Sequence, residues 1–318
     1  MNAILPLFSS VLSLVFAALV LEQWRQRRRG FQLVWGIGLL WYGIAAGTEF
    51  LGSAYGWNEG LYRAWYLIGA FLVAAYLGAG TVYLLARTRF GYFVAASLAL
   101  GGLFSWAAVS KYPGSATAGY VTLGVSVIAA AVIALTAARR RELQAHVVMA
   151  FLAVGTLVVA ALVLTAHISG AYVDPNTHVP TAQGFPGYLR VISIPFNVAG
   201  GLTLVFGALY SAYIYMPKKR IVPARLGVLA VTVNFLASLP SALPPMLAGK
   251  LNSRVPATIL IAVGAFIPGV TSSLNRFGVT WSFFLGELVG VVLIFAGFLV
   301  SEEVWVRRPS ASLEHEVG

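Results

Sequence analysis

The chain has 318 residues, 59% of them hydrophobic and only 10% charged, with a mean hydropathy of +0.84. Soluble domains carry roughly 25% charged residues, so a water-soluble fold is excluded. Disorder is excluded too, and the absence of cysteine removes disulfide scaffolds, Cys-ligated zinc and thiolate catalysis. The excess of 21 Lys+Arg over 10 Asp+Glu does not mark a nucleic-acid binder, because the basic residues fall between apolar runs, as they do in multi-pass membrane proteins. The expected fold is an all-α polytopic bundle in the lipid bilayer, a single unit over residues 1–300.

A helix needs about 20 apolar residues to cross the hydrocarbon. Seven segments qualify in order: 4–22, 31–52, 61–86, 91–110, 119–138, 146–167 and 188–216. The first has no basic stretch before it; Arg25, Arg27, Arg28 and Arg29 follow it. That pattern predicts an uncleaved first helix with its N-terminus outside. The run 224–249 contains Pro240, Pro244 and Pro245, and the spacing predicts a broken, re-entrant hairpin. A run at 256–273 containing Pro268 and a clean span at 280–300 follow. A short polar tail, 301–318, ends the chain.

Lys and Arg concentrate in cytoplasmic loops. With 224–249 returning to the side it came from, 17 basic residues fall inside and four outside: Arg63, Lys111, Arg190 and Arg276. If every segment crosses, the split is 14 to seven, and if 256–273 is the re-entrant piece it is 15 to six. The first arrangement has nine crossings, the N-terminus outside and the C-terminus in the cytoplasm. The arrangement with 256–273 re-entrant stays open.

Small residues recur at helix-contact spacing: Gly43 and Gly47, Gly286 and Gly290, Ala74 and Gly78, and a stripe of Ser193, Asn197, Gly200, Gly201, Ala208 and Ser211. Lipid gives helices no hydrophobic reason to associate, so such faces pack backbone to backbone. Trp24, Trp41, Trp57, Trp65, Trp106, Trp281 and Trp305 suit interfacial anchoring, with a deeper position left open for Trp41 and Trp65.

Ionisable groups at membrane depth are costly and mark sites or structural locks. Glu287 lies about seven residues into the last span, with Gly290 nearly on the same face, so its carboxyl should meet a neighbouring helix. Glu49 lies near the outer end of the second span, Arg63 and Arg190 near the outer starts of the third and seventh, and His167 at the end of the sixth. With the loop 168–187, which carries Asp174 and His178, these residues are expected to gather on one flank as an outward-facing polar cup. Asn197 and Asn234 are buried amides that need partners. His146 and His167 are about 31 Å apart along one helix, so they share no metal or haem; a mononuclear site of His167 with His178, Asp174 or Glu49 stays open, although no metal-ligand spacing is present, and the sequence names no cofactor. No nucleophile motif is present either.

The stretches YRAWYLIGAFLVAAYLGAGTVYLL (62–85) and ATILIAVGAFIPGVTSSLNRFGVTWSFFLGELVGVVLIFAGFLVSEEV (257–304) resemble bacterial multi-spanning membrane proteins with no assigned activity. The first seven helices, the 41–85 stretch above all, resemble the seven-helix sensor regions of bacterial histidine kinases, although further membrane segments replace the kinase module. The resemblance implies a bacterial inner membrane and assigns no residue a role. The leading expectation is transport of a small or lipidic molecule, with Glu287, Glu49, Arg63 and Arg190 lining the cup and the hairpin gating it. A sensor or assembly subunit, binding a protein partner or a second copy of itself, and an intramembrane enzyme acting on lipid stand beside it.

Overall fold

The computed structural model describes residues 2–248, 251–276 and 282–301. Over these residues the chain is helical, with ten helices and only an isolated β-bridge between Val173 and Pro180. They are α1 (Ile4–Arg27), α2 (Gly30–Tyr55), α3 (Glu59–Leu84), α4 (Gly91–Ala108), α5 (Ala116–Arg139), α6 (Gln144–Thr165), α7 (Gly187–Tyr215), α8 (Gly227–Leu247), α9 (Arg254–Arg276) and α10 (Ser282–Val300). All but α8 are long and apolar enough to cross a membrane, which makes the chain an integral membrane protein by length and composition. The tail from 302, with Trp305, and the residues Lys250 and Trp281 lie outside the described residues.

Small residues set the contacts. Leu14 packs on Gly43 and Leu21 on Gly36, so α1 runs antiparallel to α2. A Cβ on Gly78 would lie 2.6 Å from the Gly200 carbonyl oxygen, and one on Gly200 would lie 2.5 Å from Ala74 backbone, so α3 and α7 touch main chain to main chain. In α10, Gly290 abuts the Gly264 carbonyl and Pro268 of α9, and Gly297 abuts the Ala257 carbonyl. Phe16 of α1 packs on Phe295 and Phe298, closing α1 against α10.

Irregular turns are answered from neighbouring helices. Pro195 inside α7 removes the N–H that would bond the Val191 carbonyl; the buried Ser105 hydroxyl of α4 donates to that carbonyl at 2.9 Å. In α3 a π turn spans Ile68–Leu72, and Asn197 Nδ2 donates to the Ala70 carbonyl at 2.6 Å. The buried amide expected at Asn197 is therefore a clamp between α3 and α7.

The proline-rich segment corrects one expectation. Pro240, Pro244 and Pro245 lie inside a helix that continues through them, so 224–249 is not a broken hairpin. Asn234 bonds Ile221 and Val222, Ser238 bonds Lys219, and Arg254 Nη1 donates to the Tyr215 hydroxyl. Both ends of α8 thus lie at the end of the bundle where α7 finishes. A crossing helix of 21 residues would end roughly 30 Å away, and the six residues 248–253 span at most about 21 Å. This end carries Arg25–Arg29, Arg87, Arg89, Arg139–Arg141, Lys218–Arg220 and Arg225, and we call it the basic end; the opposite end carries the loop 166–186.

Gly200→Ala should separate α3 from α7 and lower stability by roughly 1–3 kcal/mol. Gly201, beside which a Cβ meets nothing within 4 Å, should accept alanine without loss. Thermal midpoints of both variants in one detergent check this.

Candidate functional site

Two carboxyls meet at the loop end. Glu49 stands six residues before the end of α2 and Glu287 five residues after the start of α10, so both lie about two turns inside the bundle. The gap between these helices is set by Tyr42, whose hydroxyl donates to the Glu287 carbonyl oxygen at 2.8 Å. Trp65, two turns into α3, donates its indole N–H to Glu49 Oε1 at 2.8 Å. The Glu49 and Glu287 side chains stand within hydrogen-bonding reach of one another. Glu49 is buried, and Glu287, although half-buried as a residue, has its Oε2 fully enclosed.

Among the described residues, neither Glu49 Oε2 nor Glu287 Oε2 meets a donor. Ionised carboxylates only accept, so a bond between the two requires that one of them carry a proton. Without that proton two negative charges would face each other in a low-dielectric interior. Further enclosed polar atoms lack partners nearby in the fold: Ser53 Oγ one turn beyond Glu49, and Ser9 Oγ and Ser13 Oγ on α1. Ser9 and Ser13 share the stripe that Phe16 continues onto α10, and α1 runs parallel to α10 with Leu5 beside Phe283 and Phe284, which puts Ser9 at the level of Glu287. Buried polar atoms without partners call for water or a ligand.

The other expected site residues do not join this pair. Arg63 Nη1 and Nη2 donate to the Val163 and Ala166 carbonyls, the second at 2.7 Å, and its Nε and Nη2 bond Glu59. It closes the C-terminal end of α6, where orphan carbonyls favour a cation. Arg190 lies over the Tyr112 ring, 4.5 Å from its centroid. His167 and His178 are exposed, and His178 has a positive φ of 55°. His146 is exposed at the opposite end of α6 and meets Tyr83 edge-on. Asn197 is engaged in the α3–α7 clamp. The residues gather at one end, as expected, but the acids turn inward while the guanidiniums are used elsewhere, so the mixed-charge cup is not formed. Nor does α8 gate it, since α8 lies at the basic end. Gly290 and Glu287 also part company: the glycine faces α9 and the carboxyl faces α2.

The loop end is sealed by aromatics. Tyr62, fully buried, stacks on Phe185 at 4.7 Å and donates its hydroxyl to the Thr181 carbonyl, while Gly184 N–H donates back to it. Tyr66 stacks on the same Phe185 at 4.1 Å. The loop is pinned at its tip by Asp174, which accepts from the Asn176 and Thr177 backbone N–H groups. Two residues that sequence reasoning assigned no site role, Trp65 and Tyr42, position the acid pair; the depth of Trp65 was the available signal. Compared with known proteins, the chain matches no family model, no curated protein sequence and no solved structure.

Two outcomes follow from this geometry. The bonds from Thr177 and Asn176 hold Asp174 below its ordinary aspartate value. A carboxyl lowered in the folded state contributes stability that is present above its unfolded value and lost as pH falls through its folded one. Protection of the Asn176 and Thr177 amides, taken relative to their intrinsic exchange rate at each pH, should therefore hold at neutral pH and be lost only in strong acid, whereas in Asp174→Asn it should no longer show that acid transition. The acid pair has its own signature. The infrared carbonyl band of a protonated carboxyl should be present in the unaltered protein and absent from the joint variant Glu49→Gln with Glu287→Gln, since a lone enclosed carboxyl can still hold a proton; a band surviving in the joint variant would place the proton elsewhere.

Proposed function

We propose that this integral membrane protein moves a small solute across a bacterial inner membrane and that the Glu49–Glu287 pair is its proton-binding element. The observation that carries the reading is the contact of two enclosed carboxyls, inside membrane-spanning helices, with no cation paired to either among the described residues. Ionisable groups are expensive at that depth. A purely structural lock between α2 and α10 would be made as well by two amides, which carry no electrostatic penalty. A carboxyl pair differs in one respect: it changes charge by one unit when a proton leaves, and the resulting repulsion acts directly on the α2–α10 contact.

Trp65 bears on the identity of the ion. An indole N–H aimed at Glu49 Oε1 fills one carboxylate site with a donor and disfavours a metal cation there, so a proton is the better fit. The excess of basic residues at one end orients the molecule, by the positive-inside rule, with that end and the C-terminus in the cytoplasm and the N-terminus outside. The acid pair then lies on the periplasmic side, about 10 Å below the surface, beneath the aromatic seal of Tyr62, Tyr66 and Phe185.

The test is proton flux. Protein reconstituted into liposomes with a trapped pH-sensitive dye should carry protons down an imposed gradient in the presence of a transported solute. Glu49→Gln and Glu287→Gln should each lower that flux at least tenfold, with elution volume and thermal midpoint retained. Glu59→Gln, at the exposed partner of Arg63, should leave the flux within twofold of the unaltered protein. Equal flux from all four proteins would remove the acid pair from the function.

A further inference from the structure

A second polar feature lies at the basic end, apart from the acid pair. The turn joining α3 to α4 and the turn joining α5 to α6 flank an open crevice of about 470 Å³ lined by Arg87, Ala138, Arg139, Arg141 and Glu142, all of them exposed. The walls are held in place. Gln144, fully buried, donates from Nε2 to the carbonyls of Ala86 at 2.6 Å and Thr88 at 3.2 Å, the residues flanking Arg87. A Cβ on Gly91 would meet Gln144 Oε1 at 2.0 Å, so only glycine admits this amide. Thr88 Oγ1 donates to the Leu85 carbonyl and accepts from Phe90 N–H, fixing the turn further.

The charges in the crevice are unbalanced. Three guanidiniums face one carboxylate, and none of the four groups has an ion-pair partner among the described residues. Like charges gathered around one concavity repel, and an anion inside it converts the repulsion into attraction. Guanidinium forks match the paired oxygens of phosphate. The volume falls in the range of small-molecule sites, roughly 300–1,000 Å³.

The chain also indicates where the anion comes from. Ile128, Val132 and Leu135 form an exposed apolar stripe along α5, at 64%, 39% and 51% exposure. The next position of that stripe, one turn on, is Arg139 at the mouth of the crevice. A molecule with a phosphate in the crevice can lay a hydrocarbon chain along this stripe, at the depth where spans of this length place the headgroup boundary. We propose that the crevice between the α3–α4 and α5–α6 turns binds the phosphate of an anionic phospholipid whose acyl chain follows the Ile128–Val132–Leu135 stripe. This site is independent of the acid pair and stands whether or not the protein moves protons.

The experiment is native mass spectrometry of the full chain released from nanodiscs holding equal phosphatidylglycerol and phosphatidylcholine. The unaltered protein should retain phosphatidylglycerol in preference. Joint replacement Arg87→Gln, Arg139→Gln and Arg141→Gln should cut retained phosphatidylglycerol at least fivefold. Joint replacement Lys218→Gln, Lys219→Gln and Arg220→Gln removes as much charge from the same end and should change it less than twofold. Arg87→Lys with Arg139→Lys keeps the charge but loses the forks, and it should fall between the two. Because the lysine pair and the single Arg139→Gln are mild, they decide the matter if the triple variant is not recovered folded. Retention that is unchanged in the crevice variants, or lost equally in the control, overturns the site. Displacement of the lipid by millimolar inorganic phosphate, with the same variant ranking, overturns the lipid assignment and makes the ligand a soluble phosphate.

Discussion

Inside the hydrocarbon no water arrives to meet a carbonyl released from its helix, so each release must be answered by a side chain from somewhere else in the protein. The packing of this bundle can be followed from one such answer to the next. Pro195 frees the Val191 carbonyl, and Ser105 of α4 meets it. The π turn of α3 loosens the backbone over Ile68–Leu72, and Asn197 of α7 donates to the Ala70 carbonyl within it. The end of α6 leaves Val163 and Ala166, and Arg63 meets both. Each answer joins two helices that are not neighbours in sequence. The polar groups that satisfy the backbone are therefore also the groups that fix which helices touch and at what height. Glycine contacts between α3 and α7 then bring the main chains close enough for such short side chains to reach.

The acid pair is the exception to this pattern. Arg63 spends its hydrogen bonds on carbonyls and on Glu59, and Arg190 rests on Tyr112. Both guanidiniums stand at the same end as Glu49 and Glu287, yet neither turns to them. A structure selected only for stability would pair these charges, since a buried ion left without its partner costs several kcal/mol. Instead the acids face one another, with Trp65 holding one and Tyr42 gripping the backbone of the other. On the proposed reading this arrangement would make the pair respond to the arrival or loss of one proton, and a cation beside it would remove that response.

The spans could be read from the sequence because hydrocarbon thickness and apolar run length are tied by geometry. The predicted runs 31–52 and 188–216 differ from α2 and α7 by no more than three residues at either end. That Glu49 and Glu287 share one end becomes legible once 224–249 is read as returning to its own side; alternation of the remaining nine spans then assigns both residues to the outer side. What was not legible was rotation about the helix axis. Glu287 and Gly290 lie close in angle, and only the third dimension reveals that α9 takes the glycine while α2 takes the carboxyl. Arg63 was hidden for a further reason: its partners are main-chain carbonyls a hundred residues away, and carbonyls carry no side-chain signature in a sequence.

The proline-rich segment shows how the same constraint decides topology. Pro240, Pro244 and Pro245 lack the N–H groups that would bond the carbonyls of Leu236, Pro240 and Ser241. All three of those residues are exposed, and among the described residues no side chain of another helix bonds their carbonyls as Ser105 bonds Val191. Three orphan carbonyls on a lipid-facing surface would each cost several kcal/mol. At the basic end, outside the hydrocarbon, water bonds them at no such cost. The opposite, buried side of α8 keeps Asn234, Phe235, Ser238 and Ala242 against the end of α7 and the chain that follows it. A helix wet along one side and anchored along the other need not break to tolerate three prolines, but it cannot cross. Proline count alone pointed to a broken membrane segment; the exposure of the residues whose carbonyls those prolines release, together with the anchoring of both helix ends beside the end of α7, is what places the helix at the surface.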